Sequence, residues 1–152
     1  MDKNIILKLR EETGAGVMNV KKILDEFNGD YEKAKAKLIQ LGVDKAESKS
    51  DREIKAGLVY SYMHGGEGVY GKIGTIVKVG CETDFVAKTP DFKKLCGEIA
   101  LQISAMNPKD VEELLSQEYI RDTSKTIQVL IKETIAKVGE NIIISEFSRL
   151  AL

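Results

Sequence analysis

Apolar residues recur every three or four positions through the first third of the chain, and beyond residue 56 the period falls to two. Ile5, Ile6 and Leu9 mark one face of a first helix, which TGAG (13–16) ends. Val17, Val20, Ile23, Leu24 and Phe27 mark a second, closed by the turn residues of NGD (28–30). Tyr31, Ala34, Leu38 and Leu41 mark a third, with Gly42 placed as the glycine just past its end. These spacings predict three short helices packed as a bundle.

The bundle resembles the ubiquitin-associated type of fold, a likeness of architecture alone. After it, DKAESKSDRE (44–53) has no large apolar residue and alternates in charge, reading as a solvated linker or an exposed helical extension. GLVYSYM (57–63) and KIGTIVKVG (72–80) then alternate as strands around a loose hairpin loop, HGGEGVYG. Thr89 is placed to cap a helix with Pro90 at its first position, followed by Phe92, Leu95, Ile99 and Ile103 on one face. Asn107-Pro108 opens a second short helix through Leu114 and Leu115. A third spans about 124–138, ended by Gly139, and NIIISEFSRL supplies a last strand. The predicted fold is α+β. A three-helix module (1–43) and a charged linker (44–55) precede a single α+β core (56–152) with a three-stranded antiparallel sheet and helices.

Composition narrows the function. Hydrophobic residues make up 43% and charged residues 31% of the 152, a globular balance, and the net charge of −1 offers no overall basic field for a nucleic-acid backbone. No apolar run reaches membrane-spanning length, and the N-terminus lacks a signal-peptide layout. Cys81 and Cys96 form no CxxC, so free thiols in a reducing cytoplasm are expected. The single His64 gives metal or acid–base chemistry little to work with, and a hydrogen bond to the hairpin backbone is its expected role. The glycines around it tempt toward a phosphate cradle, but a strand rather than a helix follows. No cofactor or metal is implied.

The unusual stretch is CETDFVAK (81–88), which puts Asp84 and Phe85 in a connection between strand and helix. A lone Phe ordinarily packs in the core, closing that corner, with Asp84 as a turn or cap residue. The alternative is a protruding wedge, since exposed aromatic anchors are typical of binding hot spots. The residues alone leave both open.

GCETDFVAKTPDF closely resembles the signature of the elongation factor Ts family, the guanine nucleotide exchange factors of elongation factor Tu. LREETGAGVMNVKKILDEFNGDYEKAKAKL resembles that family's N-terminal helical domain, and HGGEGVYGKIGTIVKV and NIIISEF resemble its strands. The resemblance implies that the Thr83, Asp84, Phe85 and Val86 segment displaces Mg²⁺ from the partner, Phe85 as wedge and Asp84 as perturbing charge, with Thr83 and Val86 holding the tip. It also implies that Arg10 and the Gly14, Ala15, Gly16, Val17 and Met18 segment docks on elongation factor Tu, although helix core is the competing reading of Val17 and Met18. Long members carry a second core copy that this chain lacks, so a homodimer is expected, with Tyr60, Tyr62, Ile76 and Phe147 as residues that could face the second subunit. The rival from another class is an interaction adaptor without exchange activity.

Overall fold

The computed structural model describes residues 2–152. Helices α1 (Lys3–Thr13), α2 (Val17–Glu26) and α3 (Tyr31–Glu47) bury Leu9, Val20, Ile23, Leu24, Ala34 and Leu38 against one another. Asp2 caps α1 by accepting from the Asn4 amide, and Asp30 caps α3 by accepting from that of Lys33.

Gly42 does not end α3, which continues past it to Glu47. It lies where α3 crosses α7 (Ile127–Val138), and a methyl added there would stand 2.8 Å from the Ala136 Cβ. The missing side chain sets the distance between two helices. Ala46, one turn on, is buried in the main core, and Lys132 Nζ donates to Glu47 at 2.7 Å. Asn141 Nδ2 donates to the carbonyls of Ser50 and Arg52, both at 3.2 Å. Of the two readings of 44–53, the helical extension therefore holds through Glu47, and the remainder is pinned to the turn after α7.

In the core, β2 (Ile73–Cys81) lies between β1 (Ala56–His64) and β5 (Ile142–Ala151) in an antiparallel sheet. Val77, Val79 and Cys81 form one core with Phe92, Leu95, Cys96, Ile99 and Ile103 of α5 (Pro90–Met106). Thr75 and Ser104 share a buried hydrogen bond of 2.7 Å across the same seam.

The face assignment turns on a bulge. Ile142 and Ile144 are buried opposite Cys81 and Val79, and the pairing then shifts so that Ser145 has no partner. Past it Phe147, opposite Val77, packs on the core, and Glu146, opposite Lys78, faces water. Without the extra residue, alternation would bury Glu146 and expose Phe147. Tyr60, Tyr62 and Phe147 thus pack on the covered face; of the expected exposed set only Ile76 is on the free one, with Val59 and Leu150.

The helix expected from Ser124 begins later. Residues 122–126 are strand β4 (Asp122–Thr126), paired with β3 (Glu118–Tyr119), and Thr126 caps α7. The buried side chain of Gln102 holds this small hairpin: it donates to the Glu118 carbonyl at 3.0 Å and accepts from the Ile120 amide at 3.1 Å. Asn107 ends α5 in the left-handed region (φ 46°), and Asp110 caps the next helix, α6 (Val111–Ser116). Among the described residues, no helix is long and apolar enough to cross a membrane.

Candidate functional site

After β2 the chain makes a single helical turn, α4 (Asp84–Ala87). Val86 and Ala87 are buried while Asp84 and Phe85 project outward, and Phe85 is 81% exposed. Its core role is taken by Phe92 at the start of α5, fully buried under the sheet. Thr83 precedes the turn in extended backbone, its Oγ1 accepting from the Val86 amide at 3.3 Å. At the other end the Thr89 hydroxyl donates to the Val86 carbonyl at 2.7 Å and accepts from the Phe92 amide at 3.3 Å, with Pro90 at the first position of α5. Two threonines and a buried valine thus anchor a tip that carries a carboxylate and a bare ring.

The second candidate segment joins α1 to α2. Gly14 adopts φ 69° and donates its amide to the Arg10 carbonyl at 2.9 Å, ending α1. A side chain there is blocked as well as strained: a methyl would stand 2.6 Å from the Lys137 Cα. Thr13 Oγ1 donates to the Leu9 carbonyl at 2.6 Å and accepts from the Ala15 amide at 3.3 Å, and Ala15 packs against the bundle. Gly16 opens α2 without a side-chain cap. Arg10 is exposed, as are Val17 at 43% and Met18 at 77%, so neither of the last two is helix core. Beside the loop is a cleft of about 240 Å³ edged by Lys22, Lys45 and Lys49.

An exposed Phe on an anchored turn has relatives. Residues 82–152 match the family model described as Elongation factor TS. A protein of Coprothermobacter proteolyticus named Elongation factor Ts is 41% identical, over 98% of this chain and 96% of its own length. Proteins of the same name from Syntrophomonas wolfei and Fervidobacterium nodosum are 40% and 37% identical, over 95% and 97% of this chain and 87% and 96% of their own lengths. The chain belongs to the elongation factor Ts family. It is thus related to translation elongation factors along nearly its whole length, the 14–18 loop included. The first alignment spans 194 positions against a chain of 152 residues, so that relative carries residues inside the aligned span with no counterpart here.

What the sequence reading of this elongation factor Ts chain missed is the contact made just past the end of α7. Gly139 (φ 78°) stops the helix, and Glu140 turns back onto the segment before α4. Glu140 Oε2 accepts from the amides of Glu82 at 3.1 Å and Thr83 at 3.0 Å, and its Oε1 accepts from the Thr83 hydroxyl at 2.6 Å. Glu82 returns the contact, accepting from the Asn141 amide at 2.7 Å. Since Gly14 lies against Ala136 and Lys137, one helix end touches both candidate segments. The available signal was three polar or turn residues, Gly139, Glu140 and Asn141, between a helix and a strand; nothing local names their partner.

The other singled-out residues are structural. His64 Nδ1 lies 3.0 Å from the Tyr62 hydroxyl, so its ring meets a side chain rather than the loop backbone. Cys81 and Cys96 are free and buried in one core. Burial pushes both thiols up, Cys96 to about 12, and Cys81 Sγ donates to the Thr83 carbonyl at 3.2 Å.

Proposed function

We propose that this protein binds elongation factor Tu·GDP and promotes GDP release and its exchange for GTP, with Thr83, Asp84, Phe85 and Val86 acting on the partner's Mg²⁺ site and Arg10, Gly14, Ala15, Gly16, Val17 and Met18 docking it. The observation that carries the reading is the bare ring of Phe85 beside Asp84 on a turn whose other residues are buried or capped. No bond need be made or broken by this chain. It need only bind the empty or distorted partner better than the nucleotide-bound one, and linkage then weakens nucleotide binding by the same factor. The ring supplies apolar surface to insert between partner helices, and the carboxylate brings negative charge beside the phosphates that the Mg²⁺ neutralises. An acceleration of three to five decades corresponds to about 4–7 kcal/mol off the release barrier. Labelled-GDP release from elongation factor Tu tests this: no acceleration by the intact chain refutes it and leaves the adaptor reading, in which the helical module binds without exchange.

Association with a second copy through the free sheet face belongs to the same reading. Val59, Ile76 and Leu150 are exposed there, and Lys78 pairs across the strands with Glu146, a charge pattern that a two-fold axis can match to itself. Sedimentation across the micromolar range should show mass rising with concentration; a constant monomer mass refutes the dimer. Such a factor works in the cytoplasm, where its partner is.

A further inference from the structure

We infer that Glu140 is a positioning residue for the exchange turn, fixing the direction in which Asp84 and Phe85 leave the domain; this rests on the exchange reading above. Isolated helices as short as α4, four residues long, do not hold their own shape, so its geometry is imposed by what grips its ends. At the leading end that grip is Glu140. One carboxylate takes three donors, the amides of Glu82 and Thr83 and the Thr83 hydroxyl. The hydroxyl contact matters most. By drawing the Thr83 hydrogen toward itself, Glu140 leaves an Oγ1 lone pair free to accept from Val86, the bond that closes the turn. The Asn141 amide on Glu82 Oε1 makes the clasp reciprocal, and the Arg52 guanidinium, 3.6 Å from the same oxygen and 3.4 Å from the Gly139 carbonyl, closes its outer side.

The clasp lies at the surface rather than in the core. Thr83 is exposed and Glu140 half-buried, so without the carboxylate their partners can turn to water. Truncating Glu140 should therefore leave the fold standing while the tip samples other directions. A wedge aimed correctly a tenth of the time acts as one about tenfold weaker.

The test uses the full chain carrying Glu140→Ala, Glu140→Gln, Phe85→Ala, or Glu140→Ala with Phe85→Ala. Amide hydrogen exchange and thermal melting are measured on the free protein, and labelled-GDP release from elongation factor Tu over a range of exchange-factor concentrations. Glu140→Ala should speed exchange at the Glu82 and Thr83 amides by roughly ten- to a hundredfold, the range lost with charge-assisted hydrogen bonds, and lower the melting temperature by several degrees while the melt stays cooperative. The maximal release rate should fall about tenfold, with the half-saturating concentration unchanged. Glu140→Gln, which keeps an acceptor oxygen, should recover most of the rate. The double variant should be no slower than Phe85→Ala alone. Unchanged amide exchange, or a full release rate in Glu140→Ala when Phe85→Ala is slow, overturns the inference. If the intact chain does not accelerate GDP release, the exchange reading fails instead, and amide exchange alone still decides whether Glu140 holds the turn.

Discussion

Replacing Phe85 by Ala should separate stability from exchange. A fully packed Phe buries roughly 150–250 Å². With the ring 81% exposed, about a fifth of that, roughly 40 Å², is covered by its own domain, worth about 1 kcal/mol at ~25 cal/mol per Å². For a chain of this size that lowers the melting temperature by about 2–4 °C. Phe92→Ala is the internal contrast: its ring is fully buried, and such truncations cost about 3–5 kcal/mol. On the functional side, the remaining four fifths of Phe85, roughly 160 Å², is available to a partner, worth about 4 kcal/mol. If that burial occurs only as GDP leaves, its loss slows stimulated release by about three decades. Circular-dichroism melts and fluorescent-GDP release at saturating exchange factor read the two effects separately. A Phe85→Ala protein that melts early yet releases GDP at the full rate refutes the reasoning.

Asp84→Asn keeps the shape and removes the charge; in the same release assay it should cost less than Phe85→Ala, and an equal loss would make the charge the principal agent. Met18→Asp should leave melting unchanged, since the side chain is 77% exposed, and weaken binding to elongation factor Tu more than about tenfold by calorimetry, the scale of an interface hot spot. The Lys35 ammonium and then the Tyr31 hydroxyl hold the Glu12 carboxyl below its ordinary 4.5, so their stabilisation is complete above that value and lost as pH falls through the lowered one. Glu12→Gln should therefore lower the melting temperature at neutral pH and match the parent in strong acid; an equal deficit at both would remove the ion pair as the cause. With its thiol pushed to about 12 by burial, Cys96 should resist iodoacetamide at neutral pH until the chain is unfolded, and rapid labelling of the native protein would contradict that burial.

The helical bundle was legible because its apolar residues keep one period over whole helices: Leu9, Val20, Ile23, Leu24 and Leu38 are all buried together. The caps were legible too, at Thr89 and at Gly139, because capping is local chemistry. Gly42 misled because a glycine after an apolar run marks either a stop or a close approach, and the helix it approaches lies far along the chain. The faces of the sheet were hidden by Ser145, whose extra position reverses the alternation and carries no local mark. The β3–β4 hairpin is too short to show a period and is held by a glutamine on another helix. At the candidate site, the exposure of Phe85 could not be read from one aromatic residue; the family resemblance favoured it over the core role that Phe92 fills. Glu140 was beyond reach, since its value lies in donors at residues 82 and 83, across the whole α-helical layer in sequence.

An exchange factor working by differential binding has to present its docking surface and its wedge at a fixed separation. Once the first contact is made the second becomes intramolecular, and its effective concentration falls if the link between them is loose. Here the link is not the hairpin loop but the end of α7, with the charged 44–53 stretch held against it. Its last turn meets Gly14 backbone to backbone, and the next residues but one clasp Thr83. The α3–α7 crossing at Gly42 and Ala136 sets how the bundle lies on that helix. On the proposed function, a side chain added at Gly42 would alter the separation without touching either contact. It would weaken the coupling between docking and release while each segment kept its own structure. On that reading the geometry that matters is a distance between two surfaces, and Gly42 and Glu140, which help to set it, need never meet the partner.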